Sequence, residues 1–173
     1  MTWSDAARAA ALEARRMHAT RPGDMPGMLK GIWWRSGPTN DPTGSGIRFG
    51  HRSYAKAYGM SPGKEHLQRY TVTLEKPLVA KGLHDAAVRL GLARDIRDAG
   101  NKLHAAMQRA SKQKGDSKYG WMTFDKKITS AAKRQGYGGL YYTDSVPGSR
   151  RREPEVVAFK LSSVTLLPKS RKR

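Results

Sequence analysis

The chain has 173 residues, the length of one domain that carries at most a short arm. Lys and Arg number 33 against 14 Asp and Glu, so the formal net charge is +19, and this excess predicts a polyanionic partner. The chain has no cysteine, which excludes disulfides, thiolate zinc sites and cysteine nucleophiles. No apolar run approaches the roughly 20 residues of a membrane span, so we expect no membrane partner.

Residues 1–16 have the pattern of an N-terminal helical arm. Ser4 can cap this helix, Asp5 suits its positive end, and its apolar face is mostly alanine. The segment up to residue 46 is rich in Gly and Pro, which prevents a long helix. We expect in it a short helix at 25–31, a short strand at 31–34 and an exposed loop at 36–46.

The rest of the chain mixes helix and strand patterns. Periodic apolar residues predict helices at 51–59, at 83–113 and at 124–136. We expect the second helix to break at Gly91 or Gly100 and the third to have Gly136 as its C-cap, with a loop at 113–120 between them. Runs of β-branched and aromatic residues predict strands at 46–49, 67–75, 78–81, 137–144 and 154–160, and a turn followed by a last strand within 161–168. This order favours one α+β domain over residues 17–167, with a largely antiparallel sheet and a basic tail at 168–173.

The common catalytic and metal motifs are missing from the sequence. None of the five histidines has the spacing of a zinc site, so we expect no metal. The glycine-rich patterns of nucleotide-binding loops and the serine-hydrolase pattern GxSxG also do not occur. Any chemistry must therefore come from residues that are far apart in the sequence.

Four short segments follow one another in an informative order. His18, Ala19 and Thr20 precede a Gly-Met-Leu segment at 27–29, and a Gly-Ile-Arg-Phe strand at 46–49 leads to Tyr58. A Gly-Tyr-Gly-Gly-Leu segment at 136–140 then precedes Glu155, which opens a hydrophobic strand. In this order the segments resemble the ADP-ribosyltransferase superfamily, in its diphtheria-toxin and poly(ADP-ribose)-polymerase branch with a His-Tyr-Glu triad.

The resemblance implies a fold, a substrate and a set of site residues. The fold would be a split antiparallel sheet with peripheral helices, and the substrate would be NAD. Glu155 would be the catalytic carboxylate that stabilises positive charge on the ribose, and Glu153 would orient the acceptor. The resemblance further implies NAD-binding roles for His18, Ala19, Thr20, Tyr54 and Tyr58, with Tyr58 stacking on the nicotinamide.

Three positions depart from the pattern of that branch. Ala19 stands where the branch has Gly, Arg48 stands where a Tyr flanks the site, and Gly138 replaces the Asp of a Gly-Tyr-Asp-Gly segment. Each of the singled-out residues also has an ordinary structural explanation. Tyr58 could be a core aromatic residue, and Glu155 could guard a sheet edge or pair at the surface with the arginines at 150–152.

Two functions of different classes remain open from the sequence. The first is an NAD-dependent ADP-ribosyltransferase that acts on a nucleic acid or on a nucleic-acid-associated protein. Small, basic, cysteine-free proteins of this type resemble products of phages and mobile elements, which would place it in a bacterial host cytoplasm or a virion. The second is a non-enzymatic basic protein that binds DNA, RNA, or virion or host proteins, with Tyr119, Trp121 and Tyr137 available to stack on bases.

Overall fold

The computed structural model describes residues 27–36, 39, 44–50, 67–144 and 154–168. The expected N-terminal arm at 1–16, the helix at 51–59 and the basic tail from 169 onward lie outside these residues. The same holds for the basic segment at 145–153.

The described residues form seven strands, three α-helices and a short 3₁₀ turn. The strands are β1 (Met28–Ser36), β2 (Ile47–Gly50), β3 (Leu67–Glu75), β4 (Pro77–Ala80), β5 (Gly139–Tyr142), β6 (Glu155–Ala158) and β7 (Val164–Leu166). The helices are α1 (Leu83–Arg89), α2 (Ile96–Lys114) and α3 (Lys118–Arg134), and the 3₁₀ turn is Leu161–Ser163.

All seven strands belong to one sheet in the order β4-β5-β6-β2-β1-β3-β7, which confirms the predicted α+β class. Five of the six neighbouring pairs are antiparallel, but β4 and β5 are parallel. The sheet is therefore mixed, with one parallel pair at the β4 edge of a largely antiparallel arrangement. The physical reason is that the three helices lie between β4 and β5 in the chain, and such a helical crossover returns the chain in the same direction.

The pairing between neighbouring strands is shortest between β1 and β2. These strands pair only at Trp34 opposite Gly50 in the described residues, whereas β1 pairs with β3 along all nine of its residues. Side chains from both sides of this junction share one core cluster. The ring of Trp33 on β1 meets the ring of Tyr141 on β5 edge-on, with centroids 6.1 Å apart. The two halves of the sheet therefore pack against each other across a bend at the β1–β2 junction.

The three helices cover the other face of the half that contains β4, β5 and β6. Successive strand residues point to opposite faces, so Leu140 and Tyr142 join the helical core cluster and Tyr141 joins the cluster between the halves. Ile128 and Ala132 of α3 lie in the helical cluster. Ile47 of β2, Tyr70 of β3, Leu140 of β5 and Val157 of β6 are all buried.

Most of the predicted elements in the described residues are confirmed, with three corrections. The expected helix at 25–31 is wrong from Met28 onward, because β1 begins there and pairs with β3 along its length. The expected loop at 113–120 is shorter, because α3 already begins at Lys118. The helical run from 83 is broken around Gly91, whose φ of 72° suits glycine, and Gly100 lies inside α2.

Gly138 and Gly139 lie where the chain enters β5 against the end of β3. A Cβ on Gly138 would lie 2.2 Å from the carbonyl oxygen of Glu75, and the Gly138 N–H donates to that same oxygen at 3.0 Å. A Cβ on Gly139 would lie 2.7 Å from the side chain of Leu74. The absence of an Asp at position 138 thus has a steric cause, since this close approach of two backbones excludes any side chain.

The contact between α2 and α3 generates a stability prediction. A Cβ on Gly120 of α3 would lie 2.4 Å from backbone atoms of Ala106 in α2. Gly120→Ala should therefore force the helices apart and lower the free energy of unfolding by about 1–3 kcal/mol. Gly100→Ala is the matched control, because its Cβ would meet nothing within 4 Å, and it should raise that free energy by about 0.5–1 kcal/mol. Urea denaturation of both variants measures the two effects, and an equal response would contradict the contact.

Candidate functional site

A cationic side chain from the middle of the sheet points toward the helices. Ile47 and Phe49 of β2 face the core between the sheet halves. Arg48, which alternates with them, therefore projects from the opposite face. Its side chain is 19% exposed. An arginine in this position requires anionic partners, because burying an unpaired charge is costly.

Two carboxylates bind the Arg48 guanidinium. Nη1 donates to Oε1 of Glu155 at 2.5 Å, and Nη2 donates to Oδ1 of Asp125. The side chains of Glu155 and Asp125 are only 3% and 1% exposed. The guanidinium also lies against the ring of Trp121, with Cζ 5.1 Å from the ring centroid. We call Arg48, Asp125 and Glu155 the ion cluster.

The ion cluster joins three elements that are distant in the sequence. Arg48 comes from β2, Glu155 opens β6, and Asp125 comes from α3. Glu155 lies opposite Tyr142 on β5 and opposite Gly50 on β2, and Gly50 lies opposite Trp34 on β1. Glu155, Gly50 and Trp34 thus lie opposite one another in one row across β6, β2 and β1. This row contains the residue pair that joins β1 to β2 in the described residues.

Burial and charge act in opposite directions on these groups. Burial lowers the pKa of Arg48, but the nearby carboxylates of Glu155 and Asp125 outweigh it and raise that pKa well above its ordinary value. Burial raises the pKa of Asp125 above 3.8, although Arg48 draws it down. Burial also raises the pKa of the Tyr142 hydroxyl. Two carboxylates share one guanidinium, so the cluster carries a net negative charge when both are ionised.

Two polar atoms beside the guanidinium have no hydrogen-bond partner in the described part of the chain. They are Oδ2 of Asp125 and the hydroxyl of Tyr142. Buried polar atoms in native proteins are nearly always paired. The cluster therefore keeps unused hydrogen-bonding capacity for an acceptor or donor from outside the described residues.

Only one of the site residues expected from the sequence lies in the described part of the chain. Glu155 is there, whereas His18, Ala19, Thr20, Tyr54, Tyr58 and Glu153 lie outside it. The two alternatives for Glu155, an edge residue or a surface ion pair, are wrong. β6 is an interior strand between β5 and β2, and Glu155 is buried against Arg48.

Sequence reasoning missed the partners of Glu155. Arg48 stood out only as a departure from a family pattern, and Asp125 was not singled out. One signal for Asp125 was present, since it shares the inward apolar face of α3 with Ile128 and Ala132 at helical spacing. A carboxylate on such a face needs a buried cation. Arg35 of β1 was also missed, and its Nη1 donates to the backbone carbonyl of Arg48 at 2.8 Å.

Comparisons with protein-family models, curated proteins and solved structures each find no match. Among the described residues, no three His, Cys, Asp or Glu side chains are grouped to hold a metal ion. No helix in the same part of the chain is long and apolar enough to cross a membrane.

The ion cluster generates a prediction on pH. Because burial raises the pKa of Asp125, the folded state holds this proton more tightly than the unfolded state. The contribution of Asp125 to stability is therefore highest below about pH 4 and falls as the pH rises through the folded-state pKa. Asp125→Asn cannot titrate, so its melting temperature should improve relative to the wild type with increasing pH above about 4. Thermal melts across this range measure the difference, and the opposite trend would show that attraction to Arg48 outweighs burial.

Proposed function

We propose that the protein is an NAD-dependent ADP-ribosyltransferase with Glu155 as its catalytic carboxylate. The observation that carries the proposal is the position of Glu155. It is the first residue of an interior strand, and it lies opposite Gly50, the residue through which β2 pairs with β1. Arg48 holds its carboxylate in one orientation. A carboxylate that its neighbours hold in one orientation is preorganised to stabilise a positive charge that develops beside it.

The chemistry of NAD cleavage needs such a group. The bond between ribose C1′ and the nicotinamide nitrogen breaks, and nicotinamide leaves with the bonding electrons. Positive charge develops on the ribose, and a fixed negative charge close to it lowers the barrier. In the proposal the carboxylate of Glu155 supplies this negative charge. The acceptor, which Glu153 orients in the proposal, then bonds to C1′ and loses its proton to solvent.

Among the proposed site residues, Tyr54, Tyr58 and Glu153 lie within eight residues of the row that contains Glu155 in the sequence. The segment with Tyr54 and Tyr58 follows Gly50, and Gly50 lies opposite Glu155. Glu153 precedes Glu155 by two residues. In the proposal Tyr58 stacks on the nicotinamide, Tyr54 adds a further contact, and His18, Ala19 and Thr20 bind the ribose and the carboxamide.

The proposed acceptor is a nucleic acid or a protein bound to one. The support is electrostatic, because a formal charge of +19 concentrates the protein on polyanions. The proposed setting, a phage or mobile element acting in a bacterial host cytoplasm or a virion, follows from the same combination of small size, basic charge and transferase-like residue order.

Glu155→Gln tests the catalytic role. The substitution keeps the size and the hydrogen-bonding ability of the side chain but removes the charge that the developing cation needs. We expect transfer from labelled NAD to fall by roughly 100-fold or more while NAD binding changes little. Incubation of the pure protein with labelled NAD, host lysate and nucleic acid measures transfer and hydrolysis together.

Asp125→Asn is the matched control for this experiment. It removes a carboxylate from the same guanidinium, so it reports the effect of losing an ion pair with Arg48. We expect its transfer rate to exceed that of Glu155→Gln by about 10-fold or more. Equal rates would assign Glu155 a structural role only. A folded wild type that neither transfers nor hydrolyses NAD would favour a non-enzymatic basic protein.

A further inference from the structure

The α2–α3 hairpin concentrates positive charge on one side of the molecule. Residues 96–134 contain ten Lys and Arg against three Asp, and one of these, Asp125, is buried in the ion cluster. The remaining two, Asp98 and Asp116, are each within 3.0 Å of a single lysine ammonium group. Most cations of the hairpin therefore have no carboxylate partner within it.

A groove runs along this basic hairpin. Two adjoining depressions of about 340 and 480 Å³ share Leu92, Thr123 and Lys127 in their walls. Their apolar surface comes from Leu92, Ala105, Ala106 and Phe124, and no carboxylate from the described part of the chain lines either depression. Their cations are Lys102, Arg109, Lys126, Lys127 and Arg134.

Four of the five groove cations form two rows. Lys102 and Arg109 are seven residues apart on α2, and Lys127 and Arg134 are seven apart on α3. Seven residues are almost two helical turns, so the members of each row lie on one face roughly 10 Å apart. Lys126, Lys127 and Arg134 take part in none of the ion pairs found among the described residues. They are available to bind an anionic ligand.

The ring of Tyr119 extends the row of Lys127 and Arg134 on α3 toward the turn between α2 and α3. Tyr119, Thr123 and Lys127 follow one another at intervals of four residues and therefore share a face. Tyr119 is 39% exposed, and the ammonium groups of Lys114 and Lys118 lie 5.1 and 5.3 Å from its ring centroid. An exposed ring flanked by cations at the end of a basic groove matches the way proteins hold unpaired bases.

We propose that the α2–α3 groove binds a single-stranded nucleic acid. The groove cations contact successive phosphates, and Tyr119 stacks on one base. An anionic membrane fits this surface less well, because a helix that lies on lipid buries a broad apolar face. The large apolar residues exposed on α2 and α3 are only Ile96 and Tyr119 in the described chain. Binding to this groove does not require NAD, so it can be tested independently of the proposed transferase activity.

Two triple variants with equal charge change test the groove. Lys126→Gln, Lys127→Gln and Arg134→Gln together remove three groove cations, and Lys30→Gln, Lys81→Gln and Lys160→Gln remove three exposed cations elsewhere. The probes are a short fluorescent DNA strand, the RNA of the same sequence and the DNA duplex, without NAD. We expect the groove variant to weaken strand binding at least ~10-fold and to reduce the slope of log K against log salt by about 2. The control variant should change both much less.

Tyr119→Ala tests the stacking contact separately. It leaves the net charge unchanged, so it should weaken binding of the single strand about 10-fold with an unchanged salt slope and should affect the duplex much less. Circular dichroism melts verify that each variant is folded. Equal losses in the two triple variants would mean that total charge and not the groove binds the strand, and would overturn the proposal. Vesicles of anionic lipid that bind the wild type more tightly than the strand would overturn it as well.

Discussion

The ion cluster is the interaction on which the described architecture depends. Arg48 joins β2, β6 and α3 at one guanidinium, and its two partners lie 77 and 107 residues away along the chain. Removing one member of a buried ion pair leaves an unpaired charge, which commonly destabilises a protein by about 3–5 kcal/mol. A hydrophobic contact at the same place could slide, whereas the directed hydrogen bond from Arg48 to Asp125 fixes the position of α3 against the sheet. This bond and the buried apolar residues Ile128 and Ala132 together determine which face of α3 points inward.

Because α3 packs one face against the sheet, the residues on its opposite face are exposed to solvent. Asp125 contacts Arg48, and the next two residues, Lys126 and Lys127, line the groove. Because a helix turns about 100° per residue, Lys126 and Lys127 lie on other sides of α3 than the buried Asp125, and both are exposed. The proposed catalytic carboxylate and the proposed strand-binding groove thus lie on opposite sides of one helix. A nucleic acid held in the groove would be fixed relative to the cluster by α3 itself.

The sequence patterns predicted the local structure better than the site. α2 follows from its helical periodicity, and β3 and β6 follow from their β-branched and aromatic residues, because each of these patterns lies within a single element. β1 did not, since Gly31 and the surrounding glycines and prolines disfavour a nine-residue strand, and pairing with β3 overrode that local preference. The partners of Glu155 could not be predicted for a similar reason. The contact between Arg48 and Glu155 depends on β2 and β6 becoming neighbours, and no local pattern encodes which strands pair.

The cations of this chain fall into two classes with different physical requirements. Arg48 is held by two carboxylates, and its charge is compensated within the fold. The groove cations Lys126, Lys127 and Arg134 repel one another, and this repulsion lowers the stability of the hairpin that carries them. An arrangement that costs stability without compensation inside the protein is retained most simply if an anion outside it supplies the compensation. The charge that destabilises the free hairpin is then the charge that would hold a phosphate backbone in the groove.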